Sequence, residues 1–156
     1  MNKSRVLIII IAAIGLQISP LMAQESKLAL GGQLVGPTGI SAKFQLGSTS
    51  AITAVTSFNL SEGGNSFFTQ FNYILNGKTD NMNIESGTLN SYFGLGLNAR
   101  FQEIGGTIYG LRIPLGIEYQ LEDQPLEIYM DMAPTLDVDP VTSFYLSSSL
   151  GARFYF

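Results

Sequence analysis

The sequence predicts an all-β chain, an eight-stranded antiparallel up-and-down barrel. Three observations carry this expectation. From Lys27 onward apolar and polar residues alternate with a period of two, broken only by turns rich in Gly, Pro, Asn, Asp and Ser. The longest alternating runs exceed the about 9–11 residues that a tilted strand needs to cross a bilayer, where ordinary globular strands average about 5–6. Only 13% of the 156 residues are charged although 46% are hydrophobic, against roughly 25% charged in an average soluble domain.

The N-terminus accounts for part of the hydrophobicity. Lys3 and Arg5 supply a basic start, the apolar run from Val6 to Leu16 follows, and Ala23 offers a small residue before Gln24. This is the pattern of a Sec-type signal peptide, cleaved after residue 23. The apolar run is too short for the ~20 residues of a membrane-spanning helix. Two domains of the sequence are therefore expected: a signal peptide over 1–23 and a barrel over 24–156. Removal of Lys3 and Arg5 leaves six basic against twelve acidic residues, an acidic balance that argues against a nucleic-acid partner. The chain has no Cys, so neither a disulfide nor a lipid-anchoring thiol is available.

The strands are expected in order. The first covers 27–35 and ends at the turn Gly36-Pro37-Thr38-Gly39; the second covers 40–46 and the third 51–60. SEGGN leads to the fourth, 67–75, and a longer link over 76–88 precedes the fifth, 89–101. The loop around EIGG opens the sixth, 107–121, EDQP the seventh, 126–138, and DPVTS the eighth, from Phe144 to Phe156. In the sixth, Tyr109, Leu111, Ile113, Leu115, Ile117, Tyr119 and Leu121 share one face. Pro114 and Pro134 fall inside strand patterns, where a bulge or bend in a curved sheet is expected. With EDQP as a four-residue loop, Leu121 faces Leu126; with Asp139 to Ser143 as the next loop, Val138 faces Phe144. Both pairings keep the apolar parities together, and a slip of one residue would invert a face.

The two faces differ in kind. The apolar face is bulky, with Phe67, Phe101, Tyr109, Tyr119, Phe144 and Phe156 near strand ends, the placement of an aromatic girdle. The other mixes Gly and Ala with single charges, a poor solvated exterior. Lipid outside and polar groups inside is the better account, which makes the barrel transmembrane. In hydrocarbon an open sheet edge leaves unpaired backbone groups, so the first strand is expected to pair with the last. The competing architecture is a soluble lipocalin-like periplasmic barrel, with its apolar face inward around an apolar ligand.

GARFYF at the end of the sequence resembles the closing strand of bacterial outer-membrane barrels, where terminal aromatics form the signal read by the barrel assembly machinery. GPTGISAKF, and the stretch from Arg112 to Pro140, extend the likeness over the whole expected mature chain: it resembles a family of small OmpA- and OmpX-like barrels of spirochaetes and other diderm bacteria. The resemblance implies an eight-stranded barrel with no agreed activity, residence in the outer membrane, and Phe154 and Phe156 as the assembly signal. It departs from full OmpA proteins in that no peptidoglycan-binding domain follows the barrel, so a wall-tethering role is not carried over. The 76–88 link also departs from the family pattern, since it falls on the side of the termini, where turns are short. Either it makes extra structure or the strand count is off by a hairpin.

On the inward parity stand Lys43, Arg100, Arg112 and Arg153, facing Glu118, Glu127, Asp131 and Asp137, with Tyr129 among them. The pairing predicts a row of Glu118, Tyr129 and Arg153 across three strands, with Arg112 reaching Asp137 diagonally. Eight staves leave an interior just wide enough for side chains, and four cations against four anions satisfy the need of buried charge for partners. A salt-bridge plug with a structural role is therefore expected, ahead of a binding site or narrow pore. Catalysis is not expected: the chain has no His or Cys, and Ser147-Ser148-Ser149 reads as strand. Asp137-Val138-Asp139 before Pro140 reads as a turn rather than a metal site. No cofactor is expected. The partners expected are outer-membrane lipid and the assembly machinery, the protein being otherwise a monomer with a structural or envelope-maintenance role.

Overall fold

The computed structural model describes residues 27–59, 65–77, 83–84 and 87–156. The expected signal peptide, 1–23, lies outside them.

The described residues form antiparallel strands β1 (Leu28–Val35), β2 (Gly39–Gln45), β3 (Ser50–Asn59), β4 (Ser66–Gly77), β5 (Asn83–Ile84), β6 (Gly87–Gln102), β7 (Gly106–Arg112), β8 (Leu115–Leu121), β9 (Leu126–Asp139) and β10 (Ser143–Tyr155). All but β5, which pairs with β6 alone, pair with their neighbours around a closed ring, and β1 meets β10 from Ala29↔Tyr155 to Val35↔Leu150. The seam is tied further by Phe156 N–H donating to Leu28 O at 3.0 Å. Among the described residues the ring itself has no open edge, because each of its strands finds a partner on both sides for its ladder of N–H and C=O groups.

Ten strands make eight staves. Pro114 interrupts the expected sixth strand, and β7 and β8 are its two halves. The register runs straight through the break: β6 pairs Gly96↔Arg112 above it and Phe93↔Leu115 below, and β9 pairs Thr135 with Arg112 and Met132 with Leu115. Proline has no N–H to give the ladder. The ladder survives through its neighbours, with Gly94 N–H donating to Pro114 O and Ile113 N–H to Pro134 O, each at 3.0 Å. Pro134 stays within β9, paired with Leu146. The 76–88 link makes extra structure: β4 runs on to Gly77, β6 starts at Gly87, and Asn83 and Ile84 pair with Thr88 and Gly87.

One sequence-based register is corrected. Phe144 lies opposite Leu136, not Val138, and β9 and β10 pair from Asp137↔Ser143 onward. Tyr129 therefore faces Gly151, and Arg153 faces Glu127. The slide is two residues, which leaves every side chain on its own face. Alternation alone cannot detect it.

The faces sort sharply. Outward stand Ile128, Met130, Met132, Leu136 and Val138 on β9, with Phe93, Leu95 (69% exposed) and Leu97 on β6, and comparable residues on the other staves. From Ile128 to Val138 the strand climbs about 33 Å at roughly 3.3 Å per residue, or about 23–27 Å along the barrel axis at the usual tilt. That matches the ~25 Å apolar band of a transmembrane barrel. Phe58, Phe67 and Phe101 line one rim, ring centroids 4.7 and 5.8 Å apart in sequence; Phe154 and Phe156 meet edge-on at 5.3 Å near the other. The outward face is not uniformly bulky, since Ala42, Ala54 and Gly32 also point that way. Among the described residues every charged side chain lies inside the ring or at a rim, and no helix is long and apolar enough to cross a membrane.

Candidate functional site

The interior is where the sequence concentrates chemistry, and strand geometry dictates how it gathers. Along each stave every second residue points inward: Ala29, Gly31 and Gln33 on β1, Ser41 and Lys43 on β2, Gln70 and Asn72 on β4, Glu127, Tyr129 and Asp131 on β9. In so narrow a ring, side chains from opposite walls meet.

Lys43 is the hub. Only 1% exposed, it crosses the lumen from β2 to place Nζ 2.6 Å from Glu118 Oε2 on β8 and 2.7 Å from Glu127 Oε2 on β9. Glu127 Oε1 also accepts from Arg153 Nη1 at 2.8 Å, and the Tyr155 hydroxyl donates to Glu127 Oε2 at 2.6 Å. Asn76 Nδ2 donates to Glu118 Oε1 at 2.9 Å. Two cations thus meet two carboxylates, and hydrogen bonds from neutral donors occupy further lone pairs, the condition under which buried charge is tolerated.

Tyr129 lies beneath Arg153, whose guanidinium carbon is 3.7 Å from the ring centroid. The Tyr129 hydroxyl is 3.0 Å from Ser41 Oγ and 3.2 Å from Gln33 Oε1, while Arg153 Nε donates to Ser41 Oγ at 2.9 Å. Gly151 opposite makes room, since a Cβ there would lie 2.5 Å from the Tyr129 hydroxyl oxygen and against the Gly32 carbonyl. Glycine in these staves is what lets a tyrosine lie flat across the neighbouring strand.

A second cluster sits higher. Arg112 Nη2 donates to Asp131 Oδ1 at 2.8 Å and Tyr92 OH to Asp131 Oδ2 at 2.9 Å. The expected Arg112–Asp137 diagonal is thus replaced by Arg112–Asp131: the guanidinium turns toward the lumen centre, and Asp137 instead accepts from Tyr145 OH at 3.3 Å. Arg112 Nε, and Asn72 Oδ1 across Gly96, are buried without a partner among the described residues.

The predicted inward residues therefore divide. Lys43, Glu118, Glu127, Tyr129 and Arg153 form one cluster and Arg112 with Asp131 another, while Arg100 and Asp137 stand apart toward the Phe58 rim. Arg100 packs its guanidinium 5.9 Å from the Phe68 ring. Sequence reasoning followed charge and so passed over Tyr92, Tyr155, Gln33, Ser41 and Asn76, which complete the network. Parity would have found all but Asn76, since Tyr155 follows Arg153 by two and Gln33 follows Gly31 by two; Asn76 fell in the expected 76–88 link, and only the longer β4 brings it onto the inward parity. Phe154 and Phe156 face outward at the seam.

Two cavities flank the clusters. One, about 670 Å³, opens at the Phe58 rim and is lined by Gln70, Asn98, Arg100, Arg112, Tyr145 and Ser149 among others. The other, about 620 Å³, opens at the rim of Lys27 and is lined by Gln45, Gln120, Pro125 and Tyr155 among others. They share no lining residue. Among the described residues no group of three or more His, Cys, Asp or Glu is placed to hold a metal ion.

No family model matches the chain, and no curated protein matches it. Among solved structures the chain is similar to the crystal structure of Neisserial surface protein A, at 18% identity, with 83% of this chain and 93% of that one covered and a TM-score of 0.45.

Proposed function

We propose that this chain is an integral outer-membrane β-barrel, OmpA- and OmpX-like in size, with a structural or envelope-maintenance role, no catalytic activity, and a lumen closed by ion-paired side chains. The observation that carries the reading is the sorting of the two faces. A ring of exposed large apolar side chains, tall enough for a bilayer core, surrounds an interior that holds the ion pairs. Water outside would leave that belt exposed, and contiguous apolar patches beyond a few hundred Å² are rare on soluble monomers.

The apolar-ligand reading fares worse on the same observation, because a lipocalin-like barrel needs its apolar parity inside. A narrow pore fares worse on the interior: two vestibules end on opposite sides of the Lys43 and Arg112 clusters without a common wall. In this reading the rim of Leu28 and Phe156 faces the periplasm and the turns at Gly36, Gly105 and Pro140 face outward. Lipid is the surrounding partner, the assembly machinery inserts the barrel through a signal that includes Phe154 and Phe156, the closed sheet needs no second copy, and neither cofactor nor nucleic acid is required.

The test is fractionation followed by gel mobility of unboiled samples. The chain is expected in the outer-membrane fraction, extractable only with detergent, and shifting in mobility on boiling. A monodisperse protein in plain buffer, binding an apolar dye in its cavity, would overturn the reading. Steady single-channel steps in planar bilayers would overturn the closed lumen alone.

A further inference from the structure

The vestibule at the Phe58 rim has a chemical bias that the plug does not use. Its about 670 Å³ falls within the range of small-ligand pockets. Among the described residues two arginines line it and no carboxylate does. Arg112 forms part of the wall, 2% exposed, with Asp131 engaging its Nη2 and Nε left without a partner. Arg100 is half-exposed, steadied by the Phe68 ring, and has no carboxylate within 4.0 Å among the described residues, whereas Lys43, Arg112 and Arg153 each have one. Of the carboxylates beside this wall, Asp131 is taken up by Arg112 and Tyr92, and Asp137, 8% exposed, receives the Tyr145 hydroxyl; neither lines the cavity. Gln70, Asn98, Tyr145 and Ser149 add neutral hydrogen-bonding groups around the same space.

We propose that this vestibule binds a small oxyanion, a phosphate or carboxylate group, with Arg100 as its principal charged contact. A guanidinium presents paired N–H donors that match either group in a bidentate fork. The cavity removes part of the water that would otherwise compete, and the Arg112 guanidinium below adds positive potential that Asp131 offsets from the far side. The opposite vestibule, lined among the described residues by a single lysine and no arginine, lacks this bias and serves as an internal control.

The experiment uses the folded full-length mature chain in uncharged maltoside micelles, titrated with sodium phosphate at constant ionic strength and followed by NMR. Resonances of Tyr145 and Asn98 are expected to shift saturably while Tyr155 does not. Arg100→Gln is expected to weaken binding by at least about tenfold, the loss of one charge-assisted contact. A parallel arm replaces free phosphate with phosphatidic acid in the micelle. Saturable shifts with phosphate alone mean an oxyanion arriving from water, and shifts only with phosphatidic acid mean a lipid headgroup; either supports the site. Equal shifts at Tyr155, no saturation with either probe, or unchanged affinity in Arg100→Gln would overturn it. Gel mobility verifies that the variant is folded. Should it not fold, Asn98→Asp, which puts a carboxylate in the wall, is expected to abolish binding, and retained binding in that variant overturns the proposal. If the protein proves soluble without detergent, the same titration runs in buffer, so failure of the membrane reading and failure of this one are separable.

Discussion

Lys43 Nζ stands 2.6 Å from Glu118 and 2.7 Å from Glu127, so one lysine from the second stave clamps two carboxylates on the opposite wall. Glu118 and Glu127 are on adjacent strands, both nearly fully buried. Without a cation between them they would confront one another as like charges in a medium of low polarity. Lys43→Met is therefore expected to destabilise the barrel by about 3–5 kcal/mol, the cost of breaking a buried pair from one side. The measurement is equilibrium unfolding of the refolded protein in detergent. Adding Glu118→Gln to Lys43→Met, which leaves Glu127 paired with Arg153, is expected to recover much of the loss, and a double variant no better than the single one would mean that packing, not charge, holds the centre.

Arg153 combines an ion pair with a stacked ring. Arg153→Ala removes the 2.8 Å contact to Glu127 and uncovers Tyr129, and a lower melting temperature of the unboiled gel band is expected. Arg153→Lys keeps the charge but loses the planar stack and the Nε contact to Ser41. Its melting temperature should fall between those of the other two proteins. Equality of all three would contradict a stabilising role for the cluster.

Gly151 and Gly32 are close neighbours at the closing seam, on opposite faces. A Cβ on Gly151 would run into Tyr129 and the Gly32 carbonyl, whereas one on Gly32 meets nothing nearer than the Gly39 carbonyl at 3.8 Å. Gly151→Ala is expected to impair folding and Gly32→Ala to leave the heat-modifiable band intact. The comparison is read directly from refolding yield.

The outward face can be tested with charge. Met132 is 51% exposed at the middle of β9, and Val138 is near its end. Against lipid, Met132→Arg is expected to cost about 2–4 kcal/mol and Val138→Arg about 0–1 kcal/mol. Against water the two would be equally mild. Unfolding free energies in bilayer vesicles distinguish these outcomes.

The assembly role proposed for the seam aromatics has its own readout. Phe156→Ala removes the edge-on contact with Phe154, worth about 0.5–1.5 kcal/mol, so the refolded barrel should lose little stability. In cells, however, the amount reaching the outer membrane should drop well beyond what that loss explains. A fall no larger than the stability change would remove the assembly signal from Phe156.

Much of this protein was legible in the alternation of residues such as Tyr109 to Leu121 and Leu126 to Val138. Once the apolar parity of each strand is known, so are the strand's two faces, the number of staves and which charges go inside, because successive side chains must point to opposite sides of a sheet. Tertiary structure decided the rest. Alternation fixes register only to within an even number of residues, so the two-residue slide that sets Arg153 against Glu127 instead of Tyr129 left no trace in the pattern. The same holds across the lumen, where Lys43 finds Glu118 and Arg112 chooses Asp131 over Asp137. Those partners are set by the curvature and stagger of the closed ring, which bring together residues that no local spacing relates.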